Sequence, residues 1–168
     1  MKQKGEMYMN NKNRRCCFSG HNQHYNDMST TMLEAAIENL ILYHNVNEFW
    51  VGHYGAFDAI AAKAVRNVKQ KHPKVELDLI LPYLTKEIND NKDFYYENYD
   101  HILISNISFS TPKSLYIIKT NEYIVDHSGF LICHIDHTWG GAFKTYQYAK
   151  RKKLEILNIA DLSNNGRV

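Results

Sequence analysis

Short apolar runs alternate with helical patterns from Cys16 almost to the end of the chain. That alternation admits few folds, because strands and helices that follow one another in turn bury their apolar faces as a parallel sheet covered by helices. The order reads βαβαβ, then a long polar loop, then αβαβ. The expected fold class is therefore α/β: Rossmann-like and doubly wound, with a mainly parallel sheet in a single domain. At 168 residues, 44% of them hydrophobic, the chain can bury one good core and is too short for two ordinary domains.

Strands are expected at residues 16–18, 48–51, 75–81, 130–135 and 154–159. The first helix opens at Ser29-Thr30-Thr31, with Ser29 as N-cap and Met32, Ala36, Ile37 and Leu40 on one face. In the second, Ala56, Ile60, Ala64 and Val68 recur every four residues until His72-Pro73 stops the pattern. Further helices are expected over residues 115–125 and 142–151. Residues 1–14 read as a flexible polar leader to a domain over 15–168, and residues 83–113, rich in Asn, Asp and Tyr around the apolar patch Ile102-Leu103-Ile104, as a long functional or mobile loop.

Lys and Arg total 20 against 18 Asp and Glu, a formal charge of +2, and the basic residues are scattered apart from clusters at 12–15 and 150–153. A frayed terminus and cations at a helix C-terminus account for these clusters, so nucleic acid and lipid are not expected as partners. Cys16, Cys17 and Cys133 offer neither zinc spacing nor an even disulfide framework and read as inert core residues in a reducing compartment. No apolar run approaches the ~18 residues of a membrane helix, and residues 1–15 lack a signal-peptide segment. The expected location is cytoplasmic, with no membrane association.

In a parallel α/β sheet the turns that leave the C-terminal strand ends share one edge, where ligands bind. Three such turns carry glycine: Ser19-Gly20-His21-Asn22, the segment from Gly52 through Tyr54 and Gly55 to Asp58, and the segment from His137 through Trp139, Gly140 and Gly141 to Lys144 and Thr145. Glycine lets the backbone approach a ligand, and a helix N-terminus presents unpaired N–H groups, so the edge suits phosphate. His21, Asn22 and His53 could read a sugar or base, with Tyr54 and Trp139 as stacking surfaces. Asp58 has two open readings, a cap on the second helix or a ribose contact. Of nine histidines, His21, His24, His53, His134 and His137 could partly gather on this edge, but no two have ligand spacing on one element, so neither a metal nor a cofactor is expected.

Cys-Cys-Phe-Ser-Gly-His at 16–21, Val-Gly-His-Tyr-Gly-Ala-Phe-Asp at 51–58 and the run from Ser128 to Thr145 containing Trp-Gly-Gly together resemble the SLOG superfamily. The similarity, over about residues 15–159, is to a small bacterial and phage branch with a Thr-Gly-His-Arg-like start, a Gly-x-x-Gly-x-Asp turn, an Arg-Asn-containing helix and a Trp-Gly-Gly segment. The resemblance implies a Rossmann-like fold that binds nucleotides or nucleotide-derived signals, a site role for Asn121, and self-association. The superfamily includes the Lonely Guy phosphoribohydrolases, DNA-processing protein A and sensor domains of antiphage systems. This chain departs from it at Asn22 and Thr120, which stand where arginines are expected, and after Thr145, where Tyr146, Gln147 and Tyr148 replace the region of a catalytic glutamate.

The leading expectation is a module that binds a small nucleotide-type ligand, such as a phosphorylated ribose, an ADP-ribose-like compound or a cyclic nucleotide, through Ser19, Gly20, His21, Asn22, Gly52, Tyr54, Gly55, Asp58, Asn121, Trp139, Gly140, Gly141, Lys144 and Thr145. The first alternative is a hydrolase or transferase of a nucleotide N-glycosidic bond, with Asp58 or a loop acid among Glu87, Asp90, Asp93 and Glu97 as its carboxylate. The second is a nucleic-acid-binding or interaction protein that uses the basic leader and the Tyr-rich loop.

Overall fold

A strand covered on both faces must place apolar residues on each of them in turn, and the central strands here do so. The structure, a computed structural model, describes residues 11–164. Six strands form one sheet: β1 (Arg15–Gly20), β2 (Glu48–Val51), β3 (Glu76–Leu81), β4 (His101–Ile104), β5 (Phe130–His134) and β6 (Glu155–Asn158). Every neighbouring pair is parallel, and the spatial order is β4-β3-β2-β1-β5-β6. The chain builds outward from β1 to β4 and then returns to the other side of β1 with β5. The topological switch point therefore lies between β1 and β5.

Cys16 and Phe18 of β1, Phe49 and Val51 of β2, and Leu77, Leu79 and Leu81 of β3 face one layer, where they meet α1 (Asp27–His44) and α2 (Ala56–Lys69). Cys17, Trp50, Ile80, Leu131 and Cys133 face the other, against α5 (Tyr116–Asp126) and α6 (Gly141–Arg151). The intervening α3 (Lys86–Asp90) and α4 (Lys92–Asn98) join the first layer, and α7 (Ile159–Asn164) follows β6. The fold is a doubly wound α/β domain with an all-parallel sheet. Burial pushes the Cys17 thiol up to about 12 and raises those of Cys16 and Cys133, which leaves all three protonated at neutral pH.

Three expectations change. The N-cap of α1 is Asn26 rather than Ser29: the Asn26 side chain accepts from the Ser29 N–H at 3.0 Å, and the helix starts at Asp27. Residues 83–113 are not one loop, because they contain α3, α4 and β4. Ile88 and Tyr95, seven residues apart and both buried, seat the two short helices on the core, and Thr85 caps α3 by accepting from the Ile88 N–H at 3.3 Å. The patch at Ile102 is the edge strand β4. Of the expected leader, residues 1–10 lie outside the described residues, while Lys12–Arg14 form a 3-10 turn. The Arg14 carbonyl accepts from the Asn47 N–H at 3.0 Å, and Asn11 donates to Glu48 at 2.9 Å. Among the described residues no helix is long and apolar enough to cross a membrane.

Candidate functional site

Parallel strands release their loops at a common edge, and here the loops after β1, β2 and β5 surround a cavity of about 570 Å³. Its wall includes Ser19, Gly20, His21 and Asn22 from the first turn, Gly52, Tyr54, Gly55 and Asp58 from the second, and Trp139, Gly140 and Gly141 from the third, with Asn121 added from α5. Thus twelve of the fourteen expected site residues meet in one place. Lys144 and Thr145 do not line the cavity. Lys144 points to solvent one turn into α6, and the Thr145 hydroxyl donates back to the Gly141 carbonyl at 3.1 Å. Residues three and four positions beyond the helix start have rotated away from its N-terminal face.

Several of these side chains hold the edge together. The Ser19 hydroxyl donates to the Ala142 carbonyl at 3.4 Å and ties β1 to α6. Asn22 accepts from the Ala56 N–H at 3.4 Å and so occupies one free donor at the start of α2. Asp58 sits beneath its own turn and accepts from the N–H groups of Gly52, Gly55 and Tyr54, while burial pushes its carboxyl up to about 6 despite those bonds. These bonds are the helix-start contacts of the first of the two readings of Asp58. Among the described residues Asp58 is also the only carboxylate on the cavity wall, since Glu87, Asp90, Asp93 and Glu97 lie outside it. Glu87 instead accepts from the Tyr95 hydroxyl at 2.7 Å and stands 3.8 Å from His53.

The start of α6 is different. Gly140 is its N-cap, at φ +91°, and supplies no side-chain cap, and a Cβ placed at Gly141 would meet nothing within 4 Å. Unpaired N–H groups therefore open onto space. Trp139, 70% exposed, stands at this rim with its ring 4.0 Å from that of His137. Among the described residues no Lys or Arg lines the cavity.

Sequence reasoning put His53 and His137 on this edge, and both line the cavity; it did not place Gln23, Ile117 and Thr120 on the wall. His137 and Asp136 form a bonded pair, Nδ1 to Oδ1 at 2.6 Å, and the His137 ring stacks on that of His21 with centroids 3.3 Å apart. His134, the last residue of β5, turns instead to the α1 and α2 layer beside Tyr25 and Phe57.

No protein-family model and no curated protein matches the chain. Among the solved structures that resemble its fold are two of DNA processing protein A. DNA processing protein A from Streptococcus pneumoniae superposes with a TM-score of 0.61 at 15% identity, over 84% of this chain and 48% of that one. DNA processing protein A from Helicobacter pylori, whose structure describes its unique single-stranded DNA binding mode, also gives 0.61, at 14% identity, over 89% of this chain and 66% of that one. This chain thus spans about half to two thirds of their lengths. The likeness confirms the Rossmann-like fold. It also overturns the expectation that nucleic acid is no partner, because a protein of this fold binds single-stranded DNA. Net charge is a sum over the whole chain, whereas phosphate contacts are made locally and include backbone N–H groups and helix N-termini.

Proposed function

We propose that this chain binds single-stranded nucleic acid, holding one nucleotide unit in the cavity at the switch point. The observation that carries the reading is the pairing of the uncapped α6 N-terminus with the exposed Trp139 beside it. The first suits a phosphate and the second a base, and the two are adjacent in the chain, as the neighbouring groups of one nucleotide are. The single-stranded DNA binding of one structural neighbour supports the same reading. The three glycine segments, together with the neighbours' fold, support a place in the SLOG superfamily. A second reading, binding of a free nucleotide-type ligand, is favoured by the cavity volume of about 570 Å³, which falls within the range of small-molecule pockets.

The test is fluorescence anisotropy of a labelled oligothymidylate at low salt, with unlabelled mononucleotide as competitor. Saturable binding that weakens about tenfold or more in Trp139→Ala, in line with the loss of one stacked base, and that mononucleotide displaces only in large excess, is the expected result. No anisotropy change, combined with a mononucleotide-induced thermal shift, would transfer the site to the second reading. No response to either ligand would remove both.

A further inference from the structure

We propose that His21, Asp136 and His137 form a binding site for a divalent transition-metal ion of the zinc type. β1 and β5 are adjacent and in register, with Gly20 opposite His134, so the loops that follow them leave the sheet side by side. That placement gathers residues far apart in sequence: one ligand atom from each of the three lies within 4.8 Å of the other two.

The His21 Nε2 atom supplies the second argument. His21 is 6% exposed, and this nitrogen is buried with no hydrogen-bond partner, its nearest charged neighbour being Asp136 Oδ1 at 3.8 Å. A buried polar atom without a partner carries a desolvation cost, and a bound cation removes that cost. Two imidazoles and a carboxylate suit zinc and its first-row neighbours, whereas magnesium and calcium take oxygen ligands. Gln23 reaches the other Asp136 oxygen, Oδ2, at 3.5 Å and would orient the carboxylate.

The rings of His21 and His137 lie face to face, 15° from parallel, so both nitrogens cannot point at one ion in this arrangement. Ligation requires His137 to swing out of the stack. It can do so because it lies on the loop between β5 and α6, beside exposed Asp136 and Trp139. Three protein ligands leave a coordination position open, and the cavity, which His21 and His137 both line, has no Lys or Arg among the described residues. The ion would bring positive charge to a wall whose described residues otherwise offer an anion N–H and O–H groups.

The site does not depend on the nucleic-acid reading, because the metal alone is the probe. The chain, freed of metal by chelator, is titrated with Zn2+ by calorimetry and with Co2+ by visible absorption. One equivalent should bind, with cobalt ligand-field bands. His137→Ala and Asp136→Asn should each weaken binding about tenfold or more, and both positions are solvent-accessible, so the variants test ligation without disturbing the core. His21→Ala should do the same, with circular dichroism reporting whether it folds. His101→Ala, at the unrelated cluster of Glu76, Asp78 and His101, should leave affinity unchanged. Absence of saturable binding, or affinity that falls in His101→Ala and not in His137→Ala and Asp136→Asn, would overturn the assignment.

Discussion

Asp78 shows how one side chain can make this fold sensitive to pH. It is 2% exposed on β3, where Trp50 Nε1 donates to its Oδ2 at 3.2 Å and His101 Nδ1 lies 2.8 Å from its Oδ1. Burial pushes the carboxyl up to about 6, outweighing the His101 contacts that pull it down. A folded value above the unfolded one, about 3.9, means that the native state binds the proton more tightly. The stabilisation is therefore complete below about pH 4 and is lost as pH rises through about 6. His101 acts in the same direction: burial lowers its value, but the bond to Asp78 and its charge raise it above normal, so its contribution too fades as pH rises. In a Trp139→Phe background, where Trp50 is the remaining tryptophan, its emission should titrate with a midpoint near 6, and Asp78→Asn should remove that step. A midpoint near 4 would show that the carboxyl is hydrated after all. On the other side of Trp50, at the start of β1, buried Arg15 donates from Nε to Glu48 at 2.8 Å and from a terminal nitrogen to the His127 carbonyl at 2.7 Å, and lies 3.9 Å above the Trp50 ring. Arg15→Ala leaves Glu48 buried beside an empty space and should cost about 3–5 kcal/mol in urea denaturation, whereas replacing both partners by apolar residues should recover most of it.

Glycines at two element ends separate folding from function. Gly20 closes β1, and a Cβ there would lie 2.3–2.7 Å from three Phe57 side-chain atoms, with Phe57 itself buried at the start of α2. Gly20→Ala should therefore cost roughly 1–3 kcal/mol by overpacking, visible as a lower melting temperature. Gly141 opens α6 onto empty space, so Gly141→Ala should leave the melting temperature unchanged or slightly higher, while Gly141→Leu should fold and bind oligonucleotide more weakly. If Gly141→Leu binds as the parent does, the α6 N-terminus is not the phosphate site. Elements were legible where one residue's environment follows from its near neighbours. The alternation of Cys16 with Cys17 and of Phe49 with Trp50 is local, as are the glycine turns, so the sheet and its ligand edge could be read. β4 was missed because three apolar residues in an Asn- and Tyr-rich stretch become a strand only by pairing with β3. α3 and α4 were missed because each has a single buried anchor, Ile88 or Tyr95, too few to show a period. The meeting of His21 with Asp136 and His137 depends on β5 lying beside β1, a fact of strand order that no spacing within the sequence encodes.

At the scale of the whole molecule, the proposed binding mode makes a quantitative claim about salt. Single-stranded binding driven by lysines and arginines weakens with salt at a slope of about −0.7 per phosphate neutralised, because each contact releases counterions. The formal charge here is only +2, and among the described residues no Lys or Arg lines the cavity wall. The basic cluster at 150–153 lies at the far end of α6 from the cavity and is engaged in other contacts: Lys152 pairs with Asp126 at 3.0 Å, Lys150 lies over the Tyr146 ring and Arg151 over that of Tyr148. A nucleotide held by N–H groups and a tryptophan releases few counterions. The logarithm of the oligonucleotide association constant should thus fall against the logarithm of salt concentration with a slope of about −1, equivalent to one or two phosphates. Trp139→Ala should lower the whole line without changing its slope, since stacking is uncharged. A slope near −4 that flattens when Lys150 and Arg151 are replaced by glutamine would place the contact on the outer end of α6 instead, and the switch-point cavity would lose its claim to the nucleic acid.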